Sequence, residues 1–72
     1  MEEDPIDVRV GRGFVLRFNY AGLPPMAIAR PDHIPDGVTV AQVHVATRRA
    51  RFIRLRSLLE AGVITEQDLV RC

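Results

Sequence analysis

Residues 6–20 read IDVRVGRGFVLRFNY, and this stretch gives the clearest indication of the fold class. Apolar and charged side chains alternate on both sides of the Gly-Arg-Gly at residues 11–13. Alternation with a period of two is typical of half-buried strands, and glycines supply the positive φ angles that a tight turn needs. The stretch therefore predicts an antiparallel β-hairpin. One face of its second strand carries all the aromatic residues of the chain but one, in the series Phe14, Leu16, Phe18 and Tyr20.

The segment that follows the hairpin is rich in residues that break regular structure. Residues 21–25 read AGLPP, and residues 30–37 read RPDHIPDG, which indicates a loop because prolines and Asp-Gly punctuate it. Between them, residues 26–29 alternate methionine and isoleucine with alanine. This short alternation favours a third strand at the edge of the sheet.

The second half of the chain predicts a long helix. Thr39 and Gln42 have the spacing of a capping box, in which each side chain satisfies a backbone donor at the start of a helix. A helix from Val40 is the first interpretation. The β-branched residues before residue 48 favour the alternative, a strand to Val45 with the helix starting near Thr47. Over residues 48–60 arginine, alanine, leucine and glutamate indicate helix on both interpretations.

The C-terminal residues predict a turn and a second, short helix. Gly62 stands where a C-cap glycine ends a helix in a Schellman turn. Thr65 is a second N-cap candidate, with Asp68 three residues later. We therefore expect the long helix to stop near residue 61 and a short one to run over residues 66–71.

The chain has 72 residues, enough for one small domain spanning residues 1–72. A domain of this size buries only about 60% of the surface that its unfolded chain exposes, so its stability margin is thin. We expect an α+β fold, in which the hairpin, with or without the third strand, packs against the long helix and the short C-terminal helix follows. Residues 1–4 read MEED and are expected to be disordered.

The composition of the chain indicates the cellular compartment in which we expect it. Cys72 is the lone cysteine, so the chain has no internal disulfide, whereas small secreted domains usually carry several. The acidic residues after Met1 are opposite in charge to the start of a signal peptide, and no apolar run is long enough to span a bilayer. The sequence predicts a cytoplasmic protein that does not associate with membranes.

Side chains that could carry chemistry are few and scattered. Cys72 is terminal, Ser57 lies within the predicted helix, and His33 and His44 belong to no recognisable signature. A nucleophile needs a base and an orienting acid beside it, and metal sites favour Cys or His pairs at short spacing. We therefore expect no enzyme activity, no metal and no cofactor.

On a helical wheel, residues 40–61 carry two apolar stripes. The first consists mostly of small residues: Val43, Ala46, Ala50, Ile53 and Ser57. The second is bulkier and lies nearly opposite: Val45, Phe52, Leu55 and Leu59. We expect one stripe to pack on the hairpin, and the other to be covered by the C-terminal helix, by a partner, or by both. Ile53 is expected in the core, and Arg48, Arg51 and Arg54 in solvent.

Five of the ten basic residues, all arginines, fall within residues 48–56. This cluster supplies the candidate binding residues: Arg48, Arg49, Arg51, Phe52, Arg54 and Arg56. Arginine presents a planar fork of donors suited to carboxylates and phosphates. A purely structural interpretation is that some of these arginines pair with the acidic N-terminal segment and with Glu60, or are simply solvated.

The function hypotheses follow from the cluster and from the lack of chemistry. Proteins this small and without chemistry are often phage or mobile-element modulators of host machinery. The leading hypothesis is a non-enzymatic regulatory protein that binds a larger protein assembly, such as RNA polymerase or another nucleic-acid-processing complex, through the Arg-flanked helix. The alternative is direct DNA or RNA binding by residues 48–56, which a net charge of +1 disfavours. A third hypothesis is self-assembly through the bulky stripe.

Overall fold

The computed structural model describes residues 3–70 and has the predicted α+β architecture. In chain order its elements are β1 (Ile6–Val10), β2 (Phe14–Phe18), α1 (Val40–Glu60) and α2 (Glu66–Val70). Met1, Glu2, Arg71 and Cys72 lie outside the described residues. The disorder expected for residues 1–4 falls partly on them and stays a prediction. No helix within residues 3–70 is long and apolar enough to cross a membrane.

β1 and β2 form the predicted antiparallel hairpin. Its register places Val8 opposite Leu16 at the centre, and both side chains are buried. Gly11 and Gly13 have φ angles of 58° and 112°, the positive values expected of the turn glycines. Alternate side chains therefore point to one buried face, as the period of two predicted.

The prediction of a third strand over residues 26–29 is wrong. Within the described residues the sheet has two strands, and the loop contributes one isolated antiparallel bridge between Phe18 and Pro31. The backbone N–H of Asp32 donates to the carbonyl of Arg17 at 2.8 Å. Residues 26–29 themselves pair with no strand, and the chain meets the outer edge of β2 only at Pro31 and Asp32, so the loop touches that edge without becoming a strand.

The helix α1 begins at Val40, so the first interpretation is confirmed and the alternative strand to Val45 is wrong. The capping box is complete. Thr39 Oγ1 accepts from the backbone N–H of Gln42 at 3.1 Å, and Gln42 Oε1 accepts from that of Thr39 at 2.9 Å. These bonds satisfy two of the free donors at the helix start, which helps the helix form over β-branched residues that favour a strand.

The predicted end of α1 is also confirmed. Gly62 has φ 78°, and its N–H donates to the carbonyl of Leu59 while that of Val63 donates to Leu58, the two bonds of a Schellman turn. Asp68 Oδ2 then accepts from the backbone N–H of Thr65 at 2.8 Å, and α2 starts at the next residue.

The core lies between the hairpin and α1. It is built from buried apolar side chains of both strands, the loop and the helix: Val8, Val10, Leu16, Phe18, Tyr20, Ala29, Ala46 and Ala50. Ala46 and Ala50 are fully buried, and their small side chains allow the helix backbone to approach the sheet closely. The opposite side of α1 is left facing solvent.

Candidate functional site: the open face of the long helix

Arg54 was expected in solvent, and this expectation is wrong. Its side chain is 5% exposed and donates to carbonyls of the loop that follows β2. Nη1 donates to Pro24 O at 2.7 Å and Nη2 to Leu23 O at 2.9 Å. Nε and Nη2 also donate to the two carboxylate oxygens of Glu3, at 3.1 and 3.2 Å.

The aromatic ring of Tyr20 completes the environment of Arg54. The guanidinium carbon lies 4.7 Å from the centre of the ring, and Nη2 reaches Tyr20 O at 3.4 Å. A guanidinium can be buried when its charge is paired and its donors are satisfied, and both conditions are met here. Arg54 therefore joins α1 to residue 3 and to the loop at residues 20–24, and it does not face a ligand.

Ile53 was assigned to the core, and this assignment is wrong because its side chain is 42% exposed. The buried line of α1 runs through Ala46, Ala50 and Arg54 in steps of four residues. Beyond Ala50 the helix lies beside the carbonyls at residues 20–24, which accept from Arg54. Ile53 precedes Arg54 by one residue and therefore points about 100° away from this buried line.

The other arginines of the cluster occupy two different environments. Arg48, Arg49 and Arg56 are exposed. Arg51 is half-buried, and its Nε is buried with no hydrogen-bond partner within residues 3–70. Arg56 forms an ion pair with Glu60 at 3.5 Å, and both side chains are 70% exposed. Two arginines of the cluster therefore form the ion pairs that the purely structural interpretation describes, Arg54 with Glu3 of the acidic N-terminal segment and Arg56 with Glu60.

Four of the six candidate binding residues lie together on one side of α1. With two apolar neighbours they form a surface that we call the open face: Ala41, Val45, Arg48, Arg49, Phe52 and Arg56. Their spacing of three, four and seven residues places them on one side of the helix, away from Ala46 and Ala50. The structure removes Arg51 and Arg54 from this surface.

The bulky stripe predicted for the helix is split by the structure. Leu55 is buried and Leu59 is half-buried, near the C-terminal turn. Val45 is 61% exposed and Phe52 65% exposed. Among the described residues, nothing covers these two side chains, although cover by the C-terminal helix was one of the predicted explanations. The open face therefore has an apolar centre flanked by three arginines.

A groove of about 360 Å³ runs between β1 and α1 and borders the open face. Its apolar lining includes Val8, Val10, Val45 and Ala46, and Arg9 and Arg49 bring positive charge to it. No acidic side chain lines the groove, and none belongs to the open face. This side of the molecule is complementary in charge to acidic groups.

The described residues contain no group of three or more His, Cys, Asp or Glu side chains that could hold a metal ion. His33 and His44 are exposed on separate segments, and Cys72 lies outside residues 3–70. Comparison with protein-family models, with curated proteins and with solved structures gave no match. The open face is therefore the feature of the described residues that bears on function.

Proposed function

We propose that this protein is a non-enzymatic regulator that docks through the open face of α1 onto an acidic, partly apolar surface of a larger protein assembly. The observation that carries the proposal is Phe52, which is 65% exposed on a helix face shared with Arg48, Arg49 and Arg56. Aromatic and arginine side chains are enriched in protein interfaces and in their energetic hot spots.

The energetics of Phe52 support docking to a protein. Covering an exposed phenylalanine stabilises a complex by about 1.5–3 kcal/mol, and the neighbouring guanidinium groups can bind carboxylates in a bidentate manner. Apolar side chains left in solvent at the centre of a charged surface are typical of interaction sites. The chain is small and its sequence offers no catalytic constellation, and proteins of this kind are often modulators of host machinery. We therefore propose that the assembly is RNA polymerase or another nucleic-acid-processing complex in the cytosol. The lone cysteine supports a reducing compartment.

Direct binding of DNA or RNA is the second candidate, and one observation favours it. Arg48, Arg49 and Arg56 lie on the same side of the helix, where they could contact phosphates together. Against it stand the net charge of +1 and the apolar centre of the surface, since affinity for nucleic acid comes largely from neutralised phosphates.

A binding experiment with two probes separates these candidates. The full chain is titrated with purified RNA polymerase of the native host and, separately, with duplex DNA over a range of salt concentrations. We expect binding to the polymerase that F52S and R48E each weaken at least about tenfold, since both residues are central to the surface. The matched control is V63S, because Val63 is 60% exposed outside the open face. Failure of the polymerase to bind, together with tight salt-dependent binding of DNA, would promote the second candidate.

A further inference from the structure

The outer edge of β1 is open in the structure. Within residues 3–70, β1 forms backbone hydrogen bonds with β2 alone, whereas the loop at residues 31–32 partly covers the outer edge of β2. Open strand edges pair readily with other strands, and proteins commonly protect them with charged side chains, proline or a bulge. Ile6–Val10 has no proline and no bulge, and its two charged side chains, Asp7 and Arg9, are opposite in sign. The edge of β1 is therefore available for pairing.

The sequence of β1, IDVRV, is complementary to itself. If a second copy of the strand pairs antiparallel with Val8 opposite Val8, Asp7 falls opposite Arg9 of the second copy, and Arg9 opposite Asp7 of the second copy. Opposite charges directly across a strand pair stabilise it, and like charges destabilise it. The second copy is thus the occupant whose charges fit this edge without any further partner.

The ion pair already present in the hairpin extends this match. Arg17 Nε and Nη2 donate to the two carboxylate oxygens of Asp7 at 2.9 and 3.1 Å, and this bonding holds the pKa of Asp7 below its ordinary value. A carboxylate can accept from two guanidinium groups at once. Pairing of two copies would therefore form a row across the sheet in which Asp7 lies between Arg17 and Arg9 of the second copy. By symmetry, the dimer would contain this row of side chains twice.

The position of α1 is compatible with this pairing. A two-fold axis perpendicular to the sheet and midway between the two Val8 residues places both helices on the same face of the sheet. Adjacent strands are about 4.8 Å apart, and α1 packs on both β1 and β2. A helix axis above the gap between β1 and β2 would stand about 10 Å from its counterpart, which is the distance at which helices pack. The groove beside β1 would then be closed by its counterpart, which covers Val45 and Arg49.

We propose that the protein forms a homodimer in which the β1 strands of two copies pair antiparallel about Val8, producing a four-stranded sheet with both α1 helices on one face. The dimer does not rest on the proposed function. Arg48 and Phe52 lie nearly opposite Ala46 and Ala50 on the helix, so they stay exposed and the dimer presents them twice on the same side. Sheets of more than two strands are also more stable than isolated hairpins.

Variants that exchange the charges at the edge of β1 test whether the dimer forms as proposed. Sedimentation velocity over a concentration series should take the wild-type chain from 8.1 kDa towards twice that mass. R9D and the double variant D7R/R17D, which keeps an acid–arginine pair within each hairpin, each place like charges across the dimer twice. Each should weaken dimerisation about tenfold or more. An equimolar mixture of the two should restore a dimer containing one copy of each, which native mass spectrometry detects, because both cross-strand pairs are again opposite in charge.

The control variant is R30D, which makes the same charge change on an exposed loop residue beside the β2 edge. It should dimerise like the wild type. Amide hydrogen exchange of the wild type provides a second measurement that does not depend on variants folding: β1 amides directed away from β2 should exchange more slowly as concentration rises. A wild-type chain that stays at 8.1 kDa at millimolar concentration overturns the proposal. So does a dimer that neither R9D nor D7R/R17D weakens, or a mixture that restores nothing.

Discussion

Arg54 connects three segments of the chain through one side chain. Its donors satisfy the carbonyls of Leu23 and Pro24 and pair with the carboxylate of Glu3, while the Arg54 side chain itself is buried. Truncation to alanine would leave these acceptors without their partner. We therefore expect R54A to lower the free energy of unfolding by about 2–4 kcal/mol, as measured by urea denaturation.

Two variants serve as controls for R54A. Y20F removes a buried hydroxyl that has no hydrogen-bond partner within residues 3–70, so its effect on stability should be small although it changes the ring that the guanidinium covers. R48A truncates an exposed arginine of the same helix and should also leave stability nearly unchanged. Equal, small effects of R54A and R48A would contradict the structural role of Arg54.

The hairpin and helix boundaries could be predicted from the sequence because their signals are local. Each signal determines the conformation of neighbouring residues, whatever the rest of the chain does. These signals are the period of two, the turn glycines, the capping box of Thr39 with Gln42, and Gly62. The failed third strand has a different origin. Residues 26–29 have the alternation of a strand, but they have no neighbouring strand to pair with, because the chain meets the edge of β2 only later, at Pro31 and Asp32.

The helix faces could be predicted only in part. A wheel gives the direction of each side chain around the axis, but it does not say what the helix lies against at each turn. Near Ala46 and Ala50 the neighbour is the apolar sheet, and near Arg54 it is a set of loop carbonyls that only the fold brings there. The sequence therefore located the arginine cluster but not the separation of buried Arg54 from exposed Arg48 and Arg56.

The turn between the two helices provides a prediction at the level of elements. Gly62 has φ 78°, and a Cβ added there would meet no atom within 4 Å, so a substitution is opposed by backbone strain and not by a clash. We expect G62V to lower the free energy of unfolding by about 1–2 kcal/mol, measured by thermal or urea denaturation. G62N is the matched variant, since asparagine tolerates the left-handed conformation, and it should cost less. Wild-type stability of G62V would mean that α1 continues through this residue.

In the whole molecule, one side of α1 builds the core with the hairpin, and the other side faces solvent. The hairpin and the Ala46–Ala50 side of α1 form the core, and the opposite side of the helix presents Phe52 and Arg48 to solvent. The edge of β1 and the open face border the same groove, which Val45 and Arg49 of the open face help to line. A dimer formed through the edge of β1 would therefore cover Val45 and Arg49 but leave Arg48 and Phe52 exposed for a protein partner.

Site-specific photo-crosslinking in the native host tests whether the open face is the surface that contacts the partner. A photoreactive amino acid replaces Phe52 in the full chain, and in a second variant it replaces Val63, which is similarly exposed outside the open face. We expect position 52 to crosslink to a discrete protein of a nucleic-acid-processing assembly, R48E to abolish this product, and position 63 to give none. Equal crosslinking from both positions, or a product at position 52 that R48E leaves unchanged, would mean that the open face is not the contact surface.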